Sequence, residues 1–501
     1  MRRLLSDGPP DIIIHIQLFL DPLDILALRL YTTIRFLTPV SLTCKSLSEA
    51  TRARSVWMAA VHNVCITHGA FLPSFPLEEM SLDDLEHTAL SPHRFQAVIQ
   101  KYNGHSTEPL LTRKFVPRVQ PRQAGGATMK TAIDQMALIP GGRFLLTSTY
   151  SGNLSLWDLG FNPGSHMKSL PIAMLETNEG SQGVFTMDNF WLDCGPMPDS
   201  EGIYVVAESN FTARDNVNAA CYEVYPKSEF PNFHRIGAAA IPGPITSECT
   251  GLSFDYYACS RESFFTVWNF TADLGVSWNQ PDSACTGVYT AGENIITFYT
   301  ERYLLWRLPD LQTLGNDLLP CIIDHSPTMS FSYPFGAGAI YNNVTLPSFW
   351  LPQASQKHFL TYKCDGNPAM MHFIIKSIDT VHDASLPEIL PVGVGSVQGG
   401  PNSSLAQNLT VTDIGFFQTW QSYGSTKIFA DIIFMPTPQN PTYSSVSSAL
   451  WTRERSLGNM EDFDMCTMTG RVVIKLRQRI DANNLHTEIQ VMDFLLPKTF
   501  Q

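Results

Sequence analysis

The stretch Met136–Leu159 reads MALIPGGRFLLTSTYSGNLSLWDL. It consists of three short apolar runs separated by Pro-Gly-Gly at residues 140–142 and Ser-Gly-Asn at residues 151–153. Glycine and asparagine tolerate the backbone conformations of tight turns, so short apolar runs between them are typical of antiparallel strands. The stretch therefore predicts three strands of a small sheet that is largely buried, the last ending at Trp157-Asp158.

Weaker units of the same kind recur along the rest of the chain. With the first unit, they resemble the blades of a WD-repeat β-propeller, and three of them close on a tryptophan: Trp157, Trp268 and Trp306. We interpret these tryptophans as core packing rather than as an aromatic cage for a ligand. The recurrences lie at residues 203–207 with 221–224, 251–259 with 264–269, 295–298 with 303–308, 349–351 with 358–362 and 372–378, 427–435, and 462–477 with 489–495.

This resemblance implies an all-β region over residues 105–501, most simply a β-propeller of six or seven blades. The spacing of the units is close to or somewhat above the ~40 to 50 residues expected for one blade. The Gly-His half of the repeat signature is missing, which indicates a divergent propeller. A pair of two-sheet sandwiches is the alternative architecture.

The stretch Gly8–Trp57 differs from the strand-like units described above because its apolar residues follow helical spacing. Residues 12, 13, 16, 19 and 20 form one wide apolar face after Pro9-Pro10-Asp11. Asp21 can cap a second helix, in which Pro22 occupies the first position and Asp24 adds negative charge to the first turn. The sequence therefore predicts two short amphipathic helices that meet at a tight corner.

The order of residues in this stretch resembles an F-box: PPDI at residues 9–12, FLDPLDILAL at residues 19–28, TCKSL at residues 43–47 and the closing Trp57. Gly8 departs from the leucine usual in the family. The resemblance implies docking on the Skp adaptor of a cullin-RING ubiquitin ligase, with the rest of the chain receiving an unidentified protein substrate. A small buried helical cap is the alternative. The partner-binding residues that the family pattern implies are Pro10, Ile12, Ile16, Leu20, Pro22 and Leu26.

Residues 31–42, YTTIRFLTPVSL, interrupt the F-box pattern. Their β-branched residues and Pro39 predict a poor continuation of the helix that starts at Pro22. Two explanations remain open: an irregular loop of the native protein, or sequence that the mature chain lacks.

Residues 58–104 predict a helical linker. Ser81 can cap one helix, and Ser91 with Pro92 predicts the start of another that ends at Asn103-Gly104.

Composition narrows the class of protein. The chain of 501 residues is 44% hydrophobic and 16% charged, which describes a globular protein. Its net charge of -13 argues against binding to nucleic acid, because neutralising phosphates requires an excess of Lys and Arg. The ten cysteines form no CxxC pair, and we interpret them as reduced thiols of a cytoplasmic or nuclear protein. No run of eighteen apolar residues predicts a membrane span, and Asp11 interrupts the run that could mimic a signal peptide.

Catalytic signatures are not found in the sequence. Neither GxSxG nor a phosphate-binding glycine loop ending in Lys-Ser/Thr occurs. His358, His372 and His382 lie on separate segments and predict no metal site, and the glycine-rich residues 393–401 predict a loop. We therefore expect neither catalysis nor a cofactor, although a propeller enzyme with residues gathered at the central channel, or a scaffold without ligase docking, remains an alternative.

Basic residues are concentrated in the C-terminal region. They could bind an acidic or phosphorylated peptide. More commonly, basic residues lie on solvent-exposed strand edges, where they prevent pairing with other strands. These residues are Arg453, Arg455, Arg471, Lys475, Arg477 and Arg479.

Overall fold

A computed structural model gives the fold of most of the chain. The residues that it describes are 9–34, 47–117, 132–168, 170–176, 190–210, 216–243, 249–253, 255–261, 263–281, 285–315, 317–333, 341–346, 350, 356–363, 369–376, 388–396, 405–411, 415–421, 427–452, 459–481 and 484–498.

The N-terminal region is helical. Its helices are α1 (Pro10–Gln17), α2 (Pro22–Ile34), α3 (Arg54–His68), a 3-10 helix (Leu72–Ser74) and α4 (Leu82–Lys101), and residues 47–50 are also helical. The prediction of a helix from Pro22 is confirmed. The prediction that residues 31–42 continue this helix poorly is wrong for residues 31–34, because α2 continues to Ile34. The remainder of the interrupting segment, residues 35–42, lies outside the described residues.

α4 is one continuous helix rather than two. Ser81 caps it: the Asp84 amide donates to Ser81 Oγ at 3.1 Å, and the Ser81 amide donates back to the Asp84 carboxylate. The predicted second start at Pro92 is wrong, since Pro92 lies inside the helix. Leu85 and Phe95, on either side of the proline, are both fully buried. Tertiary packing on both sides outweighs the cost of the proline.

The described strands form seven mainly antiparallel sheets, each built mainly from strands consecutive in the chain, and together they make a seven-bladed β-propeller. Blade 1 contains β2 (Ile133–Leu138), β3 (Phe144–Thr149), β4 (Leu154–Asp158) and β5 (Ala173–Leu175); blade 2 contains β6 (Phe190–Pro196), β7 (Ile203–Asn210), β8 (Asn216–Val224) and β9 (His234–Pro242); blade 3 contains β10 (Cys249–Leu252), β11 (Tyr256–Arg261), β12 (Phe264–Asn269) and β13 (Leu274–Asn279). Blade 4 contains β14 (Cys285–Ala291), β15 (Asn294–Tyr299), β16 (Arg302–Arg307) and β19 (Met329–Ser332); blade 5 contains β20 (Tyr341–Thr345), β21 (Gln356–Lys363), β22 (Ala369–Lys376) and β23 (Glu388–Ser396); blade 6 contains β24 (Leu405–Val411), β25 (Gly415–Gln421), β26 (Lys427–Phe434) and β27 (Ser444–Thr452).

Blade 7 closes the ring by combining the two ends of the propeller region. Its strands β28 (Asn459–Cys466), β29 (Arg471–Asp481) and β30 (Asn484–Asp493) come from the C-terminal part, and β1 (Leu111–Phe115) supplies the outer strand. β1 pairs with β30 from Leu111 opposite Asp493 to Phe115 opposite Ile489. Because the first strand of blade 7 lies beside the first strand of blade 1, this pairing locks the ring.

Blade 4 also reaches into blade 3. Between β16 and β19 the chain forms β17 (Gln312–Thr313) and β18 (Cys321–Ile323), and both pair with β13 at the outer edge of blade 3. β17 runs antiparallel to β13 and β18 runs parallel to it. The outer edge of blade 3 is therefore covered by a segment of the next blade.

The helices share a hydrophobic core with the propeller. Val56 and Trp57 of α3 and Leu85 of α4 pack in one cluster with residues of blades 1 and 7, including Trp157 and Val473. Phe95 and Ile99 of α4 pack in a second cluster with residues of blades 6 and 7. The predicted linker is therefore packed on the propeller and gives the N-terminal helices a fixed base.

Candidate partner-binding surface

The corner between α1 and α2 is set by local sequence. Asp21 Oδ1 accepts a hydrogen bond from the Leu23 amide at 2.8 Å, and Pro22 takes the first position of α2. This is the predicted cap. At the end of α1, Asn63 Nδ2 of α3 donates to the Leu18 carbonyl oxygen at 3.3 Å. One hydrogen bond therefore fixes the start of α2 and another fixes the end of α1.

One face of this corner is buried and the other is apolar and exposed. Ile13 and Ile25 are buried against the helical core. The opposite face carries the apolar ridge, which we define as Ile12, Ile16, Phe19 and Leu23, with exposed fractions of 55%, 37%, 74% and 46%. Ile12 and Ile16 lie four residues apart on α1, so they share one face of that helix, while Phe19 lies in the corner and Leu23 in the first turn of α2. Four large apolar side chains exposed within twelve residues of the chain are typical of an interaction site.

The family-implied residues divide between the two faces. Ile12 and Ile16 lie on the exposed ridge, whereas Pro22 is buried, and Leu20 and Leu26 are half-buried and pack against the helical core. Pro10 begins α1. Their role in binding remains a prediction.

Phe19 and Leu23 belong to the ridge but were not among the implied binding residues. Phe19 was already part of the apolar face predicted from helical spacing, whereas Leu23 follows the corner in the first turn of α2, where the spacing of α1 gives no information.

α2 is anchored to the rest of the helical region by Arg29. Its guanidinium forms two hydrogen bonds with the Glu86 carboxylate of α4, at 3.0 and 2.7 Å, and donates to the Thr51 carbonyl oxygen at 2.6 Å. Bidentate arginine–carboxylate pairs fix orientation as well as distance. The same guanidinium lies 5.5 Å from the centre of the Trp57 ring. The ridge is therefore displayed on a fixed support.

The tryptophans predicted as core packing are buried as expected. Trp157 Nε1 donates to Thr147 Oγ1 at 2.9 Å within blade 1, and Trp306 Nε1 donates to Thr297 Oγ1 at 2.9 Å within blade 4. Trp268 is also fully buried. The interpretation as core residues is confirmed.

Two of the three candidate histidines lie on separate but neighbouring strands, β21 and β22, and are in contact. His358 Nδ1 lies 2.9 Å from His372 Nε2, and His372 Nδ1 lies 2.7 Å from Tyr443 Oη. Burial, with the neighbouring His358 adding to the effect, lowers the pKa of His372 to about 3. Within the residues described, no group of three or more His, Cys, Asp or Glu is arranged to hold a metal ion. His382 lies outside those residues.

The C-terminal basic residues do not form one solvated patch. Arg471 is buried, and its Nε donates to Asp493 Oδ1 at 2.6 Å. Lys475 is also buried and its Nζ donates to the Asp134 carbonyl oxygen. For these two residues both predicted uses are wrong, because their partners lie inside the junction of blades 7 and 1. Arg453 and Arg455 lie outside the described residues.

The predicted glycine-rich loop is also partly wrong. Gly393 to Ser396 form the end of β23. A Cβ on Gly393 would lie 2.8 Å from the ring of Tyr443, so this position needs glycine for close packing.

In the part of the chain that the structure describes, no helix combines the length and the apolar composition needed to cross a membrane.

Known proteins were compared with this chain in sequence and in structure. No protein-family model and no curated protein sequence matches the chain. Among solved structures, the β-propeller domain of Cps50 (Swd1) from Myceliophteria thermophila aligns over 77% of this chain and 100% of its own, at 11% identity and a TM-score of 0.44. The WD40 domain of SCAP from fission yeast aligns over 72% and 82%, at 10% identity and a TM-score of 0.39. The C-terminal WD40 domain of Sif2 aligns over 73% and 98%, at 8% identity and a TM-score of 0.37.

Proposed function

We propose that this protein is a substrate receptor of a cullin-RING ubiquitin ligase, which docks on the Skp adaptor through its N-terminal helices and recruits a protein substrate with its propeller. Propellers of this architecture are generally protein-interaction scaffolds. A receptor of this kind performs no chemistry itself. It raises the effective concentration of the substrate near the transferring enzyme.

The exposed apolar ridge carries the proposal. Ile12, Ile16, Phe19 and Leu23 lie within the stretch that resembles an F-box and face away from the core. Covering them with a partner would remove apolar surface from water, which favours association by about 25 cal/mol per Å². The Arg29–Glu86 pair holds α2 in place before binding, so little order remains to be gained on docking.

Binding of the purified full-length chain to the purified Skp adaptor tests the proposal. The test variant combines Ile12→Ala, Ile16→Ala and Phe19→Ala, which keeps good helix formers on an exposed face. Buried anchors at the centre of an interface commonly contribute about 2 kcal/mol or more each. We therefore expect the variant to bind the adaptor more than tenfold more weakly than the wild type.

A matched control changes three exposed apolar residues of the propeller: Leu110→Ala, Ile322→Ala and Val392→Ala. The control should bind the adaptor as the wild type does. If the wild-type chain does not bind the adaptor, or if both variants weaken binding equally, the proposal is wrong. Ridge residues are preferable to Pro22 for this test, because Pro22 is buried and its replacement would disturb the fold.

A further inference from the structure

A large groove lies between the N-terminal helical region and the first two blades. Its walls come from the segment around the 3-10 helix, from the loop between β4 and β5 of blade 1, and from the loops that follow β6 and β8 of blade 2. Its volume is about 1240 Å³. Small-molecule sites usually occupy about 300–1,000 Å³, so this groove is large enough for an extended peptide.

The groove offers apolar surface to such a peptide. Leu77, Met167 and Ile172 line it and are half-buried, while Leu170 on the same wall is exposed. Phe230, also exposed, lies between two residues of the lining, Glu229 and Pro231. Exposed large side chains beside a concave surface are typical of a protein-binding site.

The charge of the groove selects the kind of peptide. Glu78, Glu79, Glu201 and Glu229 line it and are all exposed, and none of the four has an ion-pair partner among the described residues. Their negative charges are therefore available to a ligand.

The cations of the groove are already partly engaged. Arg143 donates to Asp158 Oδ1 and Oδ2 at 3.0 and 2.9 Å, and Lys168 Nζ lies 3.9 Å from the same carboxylate. Lys227 is the third cation of the lining. Five carboxylates thus face three cations, and a positively charged segment matches the groove better than a negatively charged one.

We propose that this groove binds an extended segment of a partner protein in which lysine or arginine residues are interspersed with apolar residues. The basic side chains would face the four glutamates and the apolar side chains would cover Leu77 and Leu170. The inference rests on the proposed function in one respect, namely that the bound segment belongs to the protein to be ubiquitinated.

Fluorescence anisotropy with the full-length chain tests the proposal. The probe is a labelled peptide of about twelve residues with roughly equal numbers of arginine and leucine, and a second peptide carries glutamate in place of arginine. The groove variant is Glu78→Gln, Glu79→Gln, Glu201→Gln and Glu229→Gln. We expect the groove variant to bind the basic peptide at least tenfold more weakly, and the acidic peptide to bind none of the chains.

The control variant removes the same four negative charges elsewhere: Glu108→Gln, Glu301→Gln, Asp310→Asn and Asp324→Asn. These residues are exposed and do not line the groove. Because the control has the same net charge as the groove variant, it should bind the basic peptide within about twofold of the wild type. Equal weakening in both variants, no binding of the basic peptide by the wild type, or equal binding of the acidic peptide would each overturn the inference.

Binding of the same variants to the Skp adaptor separates this inference from the proposed function. The groove variant should bind the adaptor as the wild type does, because its substitutions lie outside the apolar ridge. If the wild type binds the basic peptide in the groove but not the adaptor, the groove assignment stands and the ligase assignment falls. If it binds the adaptor but not the basic peptide, the ligase assignment stands and the groove assignment falls.

Discussion

Asp493 holds together the junction at which the propeller ring closes. Its Oδ1 accepts from Arg471 Nε at 2.6 Å, and its Oδ2 accepts from Arg113 Nη2 at 2.9 Å. Arg471 also donates to the carbonyl oxygens of Gly142 and Gly160 in blade 1, at 2.6 and 2.7 Å. One carboxylate thus joins β1, β29 and β30 and orients an arginine that reaches into blade 1.

We expect Asp493→Asn to destabilise the protein strongly, because the substitution keeps the volume of the side chain but removes the negative charge between two largely buried guanidinium groups. Removing one partner of a buried ion pair costs about 3–5 kcal/mol. A cooperative unit of roughly 400 residues has an unfolding entropy near 0.8 kcal/mol per K, so the expected fall in Tm is about 4–6 °C. Differential scanning calorimetry of the full chain measures it.

The matched control is Glu293→Gln. Glu293 lies 3.8 Å from Arg307, and both side chains are mostly exposed. Surface ion pairs contribute little, so the control should shift Tm by no more than about 1 °C. A fall of less than about 1 °C for Asp493→Asn, or an equal shift in the control, would refute the role assigned to this carboxylate.

Three further predictions concern stability. Gln17 is buried, and neither atom of its side-chain amide has a hydrogen-bond partner among the residues described. Gln17→Leu should therefore raise the free energy of unfolding by about 1–2 kcal/mol in urea titrations. A free energy of unfolding below that of the wild type would contradict this. Burial raises the pKa of Asp431 to about 6, so its protonated form favours folding. As the pH rises from 5 to 7.5, the wild type should lose about 1 kcal/mol of unfolding free energy that Asp431→Asn retains, and parallel pH profiles of stability would argue against this. A chain that ends at Asn459 lacks β29, β30 and all but the first residue of β28, and should therefore lose cooperative melting. A soluble, cooperatively melting fragment would count against the closed ring.

The blades were predictable from sequence because each one is encoded locally. The three apolar runs of the first unit correspond to β2, β3 and β4. They are separated by the turns at residues 140–142 and 151–153. The closure by β1 was not predictable, since Leu111–Phe115 is short, contains Arg113 and Lys114, and pairs with a strand far along the chain. Periodicity within a segment carries no information on such distant pairing.

Errors at single residues came from context that local rules do not contain. Ser91 and Pro92 have the residue types of a helix start, but buried Leu85 and Phe95 keep α4 continuous. Arg471 was expected in solvent because arginine is rarely buried without a partner, and its partner Asp493 follows 22 residues later on the neighbouring strand. The candidate surface was partly predictable: helical spacing identified the apolar corner, but whether a given residue faces the core or solvent depended on α3 and α4.

The pairing of β1 with β30 also constrains how the protein is made. Leu111 and its partner Asp493 are separated by 382 residues (493 − 111), so at ~5–20 residues per second a ribosome needs about 20–75 s to synthesise the partner after β1 has appeared. During that interval β1 cannot occupy its place in blade 7. Its two adjacent charged residues, Arg113 and Lys114, discourage pairing with other exposed strands in the meantime. A nascent chain of this protein therefore cannot close the ring, and remains an open arc of blades, until β30 has been synthesised.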